Sequence, residues 1–288
     1  MNHRAKPFTP IKIELNFQRT KLARSKKNVK KLTKLSFARL NMNQIIQDRD
    51  NHFWHEVESV LKENDLGIKF ISENISSFTM RRHTAQLFAY YELFDKVKFL
   101  PGSILEFGVF YGNGLFTWLN LLETFIPLDR GRKVFGFDDM KGYKRELKTL
   151  DVGGAKYIED LRGDYELKKE IIERLVAAHN SDNLVPYDQR CIIYDGDVKK
   201  TFKDFRDQNQ GVRVCLANID LNLYEPTKYV LENIWDILVK GGIVILRGYG
   251  SKPWEGESLA VDEFFKEKDC RFETIIFNNT PGCFVVKD

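Results

Sequence analysis

Four places along the chain join an acid or a glycine turn to the end of a short apolar run: Gly108–Gly114, Asp138-Asp139, Asp195-Gly196-Asp197 and Asp220. A carboxylate after one such run can accept both hydroxyls of a ribose. An acid after the next can read an adenine edge. A glycine turn opening a helix leaves room for a ligand tail and offers free backbone N–H groups. Taken singly, each Asp also reads as a helix cap or turn residue. Their repeated placement reads as an adenosine site. The turn has no Gly-Lys-Ser/Thr ending, which disfavours a triphosphate cradle. Gly108, Gly112 and Gly114 are spaced four and two apart, so the dinucleotide pattern G-x-G-x-x-G is absent as well.

The elements that must position these groups follow from hydrophobic patterning. Ile104–Gly114 (ILEFGVFYGNG) is an almost continuous apolar run entering a glycine turn, as suits a parallel strand buried on both faces. An apolar helix follows over Leu115–Phe125. Further strands are expected at Lys133–Asp138, Cys191–Tyr194, Val212–Asp220 and Ile243–Leu246. Helices are expected at 165–178, Glu225–Val239 and 256–267, with Gly241-Gly242 ending the second of these. Phe272–Phe277 and Cys283–Val286 should close the chain as a hairpin through Asn278–Gly282. Phe53, Trp54, Val57, Val60 and Leu61 recur at helical spacing, with Gly67 stopping that helix. Leu87, Phe88, Tyr91, Phe94 and Val97 recur likewise. The pattern predicts an α/β fold, a doubly wound, mostly parallel seven-stranded sheet of Rossmann-like form with an N-terminal helical extension.

The 288 residues carry 43% hydrophobic and 13% aromatic side chains, enough for a large core. The net charge of +4 is uneven: residues 1–50 hold 13 Lys+Arg against 3 Asp+Glu, and the rest carries a net −6. Residues 1–50 therefore read as a basic arm, 51–100 as a helical cap, and 101–288 as the Rossmann-like domain. Lys26, Lys27, Lys30 and Lys31 could face an anionic surface, but no aromatic interleaving or nucleic-acid motif accompanies them, so a solvated or subunit-packing arm is the preferred reading. Cys191, Cys215, Cys270 and Cys283 lack metal-ligand spacing and read as reduced thiols. No run is long enough to span a bilayer and no secretion signal is evident, so a cytoplasmic protein is expected.

Several motifs in one order resemble the macrocin O-methyltransferase family of class I S-adenosylmethionine-dependent methyltransferases. They are Phe78-Thr79-Met80, Leu105-Glu106-Phe107-Gly108-Val109 with Gly112 and Gly114, Gly136-Phe137-Asp138 with Lys141-Gly142, and Gly196-Asp197 with Thr201-Phe202. Further along come Ile219-Asp220 with Leu223–Thr227, Gly241-Gly242, Tyr249-Gly250 and Ala260–Phe264. The match covers about residues 76–266. The resemblance implies methyl transfer from S-adenosylmethionine to a sugar or another small hydroxylated acceptor by a homo-oligomer. It implies that Thr79 and Met80 cover the donor. Glu106, Gly108, Gly112, Asn113 and Gly114 would form its methionine side, Asp138 would hold the ribose and Asp197 the adenine, and Asp220 would face the reacting centre.

The chain departs from that family at the metal. The family pattern is Ile-Asp-Gly-Asp after the fourth strand and Asp-Asp-Tyr after the fifth, with three of these acids on Mg²⁺. Here Ile219-Asp220-Leu221-Asn222 and Arg247-Gly248-Tyr249 stand instead. One Asp beside a fixed positive charge is a poor site for a hard cation. Arg247 is expected to pair with Asp220 through a forked hydrogen bond, and no catalytic metal is expected. The base would then be Asp220 or His83, with Tyr249 less suited at neutral pH, and Arg247 could stabilise an alkoxide. The alternative is a non-catalytic partner that keeps the fold and binds the donor or serves structurally. A nucleic-acid methyltransferase ranks below both, since no Asn/Asp-Pro-Pro-aromatic tetrapeptide is present. Residues 140–190 and Ser251–Glu257, including Trp254, are expected to set the acceptor.

Overall fold

The computed structural model describes residues 27–140, 149–154, 156, 169–277 and 282–288. The basic stretch up to Lys26, most of the Gly-containing insertion and the turn residues 278–281 lie outside the described residues. The chain divides into two compact units, Met1–Phe78 and Thr79–Asp288.

The first unit holds helices α1 (Lys27–Glu63), α2 (Ile68–Glu73) and α3 (Ile75–Phe78). α1 runs without a break across position 50, where the change from arm to cap is expected. It ends at Glu63, and Gly67 serves as the N-cap of α2.

The second unit opens with α4 (Arg81–Val97), which buries Ala89, Tyr90, Leu93, Phe94 and Val97 at helical spacing. That stripe joins α4 to the sheet, so the expected cap of residues 51–100 is split at Phe78. Each large side chain buried this way contributes about 1.5–3 kcal/mol. Strand β1 (Ser103–Phe107) is buried along its whole length, and α5 (Asn113–Phe125) follows it. Then come β2 (Val134–Asp138), α6 (Lys169–Asp182), β3 (Cys191–Asp195), α7 (Val198–Gln208), β4 (Val214–Ile219), α8 (Tyr224–Ile234), β5 (Leu238–Leu246), α9 (Glu255–Phe265), β6 (Phe272–Glu273) and β7 (Cys283–Val286).

The sheet has seven strands in the order β3-β2-β1-β4-β5-β7-β6. The first five are parallel and β7 runs antiparallel to β5. This is the expected doubly wound sheet. The order reverses between β1 and β4, and in such sheets that switch point is where ligands bind.

Several boundaries differ from the sequence expectation: the strand expected over Phe272–Phe277 covers only Phe272–Glu273, and the helix expected to end at 178 runs on to Asp182. α8 ends at Ile234, five residues before Val239, and Gly241-Gly242 lies inside β5 rather than ahead of it. Gly241 adopts φ +78°, and the β4–β5 register shifts between Val214 and Leu216. The glycines thus mark an irregularity within the strand, a use that a helix stop and a strand bulge share in sequence.

Candidate active site

The switch point brings the ends of β1 and β4 into direct contact. The Asp220 N–H donates to the Phe107 carbonyl at 2.8 Å, and the Gly108 N–H donates to the Phe137 carbonyl at 2.9 Å. Gly108 has φ +88°, and a Cβ there would lie 2.2 Å from the Asp220 carbonyl oxygen. Gly112 has φ +84°, and its Cβ would lie 2.3 Å from the Phe116 ring; at Gly114 the Cβ would lie 2.1 Å from Glu106 Oε1. These three glycines are therefore demanded by the protein's own packing, whatever ligand the turn receives.

Glu106 is 2% exposed. Its carboxyl accepts from Trp118 Nε1 at 2.8 Å and from Asn218 Nδ2 at 2.9 Å on each oxygen. Burial pushes its pKa up to about 8. Glu106 thus lies behind the turn, fastening α5 to β1 and β4. At the end of β2, Asp138 Oδ2 accepts from the Phe110 N–H at 2.9 Å and Oδ1 accepts from the Met140 N–H at 2.8 Å. Burial raises its pKa as well. Asp138 therefore ties the glycine turn to the neighbouring strand end, where it is partly buried. Asp197 is the N-cap of α7, its Oδ1 accepting from the Lys199 N–H at 2.9 Å. Its helix-cap reading holds in the structure.

The end of β4 faces the end of β5. Arg247 Nε lies 3.2 Å from Asp220 Oδ2, and Asn222 Nδ2 donates to Asp220 Oδ1 at 3.2 Å. The Asp220 and Arg247 side chains are 25% and 22% exposed, so the pair borders solvent. Arg247 Nη1 donates to the buried Tyr90 hydroxyl at 2.5 Å, which fixes the guanidinium against α4. Met80 caps the start of α4, with Thr79 just ahead of it. His83 is exposed on the first turn, seven residues before Tyr90 and about 10 Å away along the axis. Among the described residues, Arg247 and Asn222 meet Asp220, and Tyr90 meets Arg247.

Sequence reading missed Tyr90 and Glu257. Glu257 is wholly buried, accepting from the Gly248 N–H at 2.8 Å and the Asn222 N–H at 2.9 Å. Burial pushes its pKa up to about 8. No local motif marks it; its role exists only because α9 starts beneath both strand ends. Asn218, a lone amide inside an apolar strand, was the one visible signal for the Glu106 cluster. The insertion and the Ser251–Glu257 loop do meet: a Cβ at Gly154 would lie 2.5 Å from the Trp254 ring, and Asp151 Oδ1 accepts from the Tyr224 N–H at 3.0 Å.

The residues present have the chemistry to hold an S-adenosyl group. The acid at the end of β2 and the free N–H groups opening α5 fit a nucleoside with a charged tail. At the end of β4, a guanidinium engages one oxygen of Asp220 and an amide the other. Among the described residues, no group of three His, Cys, Asp or Glu side chains is placed to hold a metal ion.

The chain is similar in structure to CalS11, a calicheamicin methyltransferase, with a TM-score of 0.74 at 25% identity over 83% of this chain and 92% of that one. An apo structure of CalS11, described as a TDP-rhamnose 3'-O-methyltransferase, matches at TM-score 0.67 and 26% identity over 83% and 94%. This is a methyltransferase fold. The O-methyltransferase NovP shares the fold at TM-score 0.55 and 20% identity, over 70% of this chain and 79% of that one. No family model matches the sequence, and no curated protein matches it. The structural matches support an S-adenosylmethionine-dependent methyltransferase. Among the described residues, no helix of this methyltransferase is long and apolar enough to cross a membrane.

Proposed function

We propose that the chain is an S-adenosylmethionine-dependent O-methyltransferase that acts on a sugar or another small hydroxylated acceptor without a catalytic metal. The observation that carries this reading is the Asp220–Arg247 pair at the switch point, where the guanidinium stands in the place of a cation. The likeness to CalS11, which acts on TDP-rhamnose, supports the sugar acceptor.

The donor residues in this proposal are Thr79, Met80, Asn113, Asp138 and Asp197, with Glu106 and the three glycines shaping the turn from behind. Bound S-adenosylmethionine supplies an electrophilic methyl group for in-line displacement, so much of the acceleration comes from orientation. Asp220 takes the proton of the acceptor hydroxyl. The hydroxyl grows acidic as its oxygen bonds to carbon, so a carboxylate suffices as the base. Arg247 presents positive charge to the oxygen that loses its proton. The sugar or other small hydroxylated acceptor would enter past Trp254. The four free cysteines fit a reducing compartment such as the cytoplasm. Self-association rests on the family resemblance.

Calorimetric titration with S-adenosylhomocysteine, first in excess chelator and then in Mg²⁺, tests the reading. Micromolar binding that is equal in both buffers is the expected result. Binding that appears only with Mg²⁺ would overturn the role given to Arg247. Absence of binding in both would remove the methyltransferase reading itself.

A further inference from the structure

We propose that Glu257 is a positioning residue that sets the geometry of Asp220 and Arg247 from beneath; for catalysis this rests on the methyltransferase reading above. Glu257 sits in the first turn of α9 and is fully buried. Its two oxygens each accept one backbone N–H, from Asn222 and from Gly248. Those residues directly flank the pair, Asn222 two places after Asp220 and Gly248 one place after Arg247. A single carboxylate therefore links the two strand ends that carry the reacting groups.

Both attachment points are specified. Asn222 has φ +59°, a left-handed backbone that a non-glycine residue holds only when its surroundings fix it. Its N–H is held by Glu257, and its side-chain amide reaches back to Asp220. Gly248 is fixed by exclusion: a Cβ there would lie 2.9 Å from Glu257 Oε2 and 3.0 Å from Asn222 Oδ1. The helix start is anchored in turn, since Gly256 packs so closely on Asp151 that its Cβ would lie 1.9 Å from Oδ1. The acid missing from position 248 is thus replaced by one from α9 that binds backbone and leaves Asp220 to the guanidinium.

The test is Glu257→Gln, read from pH 6 to pH 9: above about pH 8, where Glu257 is ionised, the variant keeps the shape but sets an amide NH₂ where a carboxylate oxygen accepts a backbone N–H. Three quantities are read on the full chain: S-adenosylhomocysteine affinity, the solvent-exchange rate of the Arg247 Nε–H by NMR, and kcat with any acceptor that the enzyme turns over. The expected result is unchanged S-adenosylhomocysteine affinity, at least tenfold faster Nε–H exchange, and kcat lowered about a hundredfold at constant donor KM. Gly248→Ala displaces the same carboxylate from the other side and should reproduce the pattern, and it carries the test where Glu257→Gln fails to fold. Unchanged Nε–H exchange in a folded variant overturns the proposal. So does a loss of activity that merely tracks the unfolded fraction. The exchange readout needs neither donor nor acceptor, so failure of wild type to bind S-adenosylhomocysteine would count against the function alone.

Discussion

At the residue scale, Asp220 and Arg247 are worth more together than apart. Asp220→Asn keeps the hydrogen-bonding shape but removes the proposed proton acceptor and the negative charge paired with Arg247. Turnover should fall about a hundredfold or more, with S-adenosylhomocysteine affinity within a few-fold of wild type. Arg247→Lys should not restore the wild-type rate, because an ammonium cannot span Asp220 and the Tyr90 hydroxyl as the planar fork does. Steady-state kinetics beside calorimetry checks both. Equal turnover in Asp220→Asn would show that the base lies elsewhere. The pairing of Asp220 with Arg247 could be anticipated because an acid and a base stand at the ends of strands that the pattern makes neighbours. Tyr90 could not, since only the packing of α4 on the sheet brings it within reach of a residue 157 positions away.

At the element scale, the β1–α5 turn is a packing device before it is a ligand cradle. Gly108→Ala combines a left-handed φ with a backbone clash at Asp220, and should cost about 3 kcal/mol or more. Gly114→Ala drives a methyl group into Glu106 and should cost about 1–3 kcal/mol. Gly211→Ala, where nothing lies within 4 Å, should stay within about 0.5 kcal/mol of wild type. Denaturant melts of the three variants measure the series. A Gly108→Ala protein as stable as the Gly211→Ala control would contradict the closeness of β1 and β4. Sequence spacing identified the turn and its place after a buried strand. It assigned the glycines to the ligand, whereas the neighbours filling their Cβ positions are Asp220, Phe116 and Glu106.

At the scale of the whole molecule, two wholly buried glutamates make stability depend on pH. Glu106 and Glu257 have pKa values raised by burial from 4.5 to about 8. In the unfolded chain they ionise near 4.5, while in the folded state they keep their protons to higher pH. Their stabilising contribution is therefore full below pH 4.5 and is lost as pH rises through about 8. Glu123 acts in the opposite sense. Its own burial, which raises the pKa, is outweighed by hydrogen bonds from Arg190, Leu184 and Arg130, so its contribution is lost as the solution turns acid. The melting temperature should peak on the acid side of neutrality and decline toward pH 8.5, and Glu106→Gln should flatten that decline. Calorimetric melts across pH 4–9 decide it; a midpoint that rises from pH 6 to pH 8.5 would refute the assignment.

The sequence by itself determined the strand-and-helix alternation and the doubly wound sheet. These follow from hydrophobic period and from residue types at short separations, which local physics fixes. The tertiary structure decided what the local pattern left open. It drew α4 into the sheet unit, placed Gly241-Gly242 within β5, turned Glu106 inward and set Glu257 beneath Asn222 and Gly248. Each of these depends on which distant surfaces meet, and a buried carboxylate or a missing Cβ acquires its meaning only from the atoms packed against it.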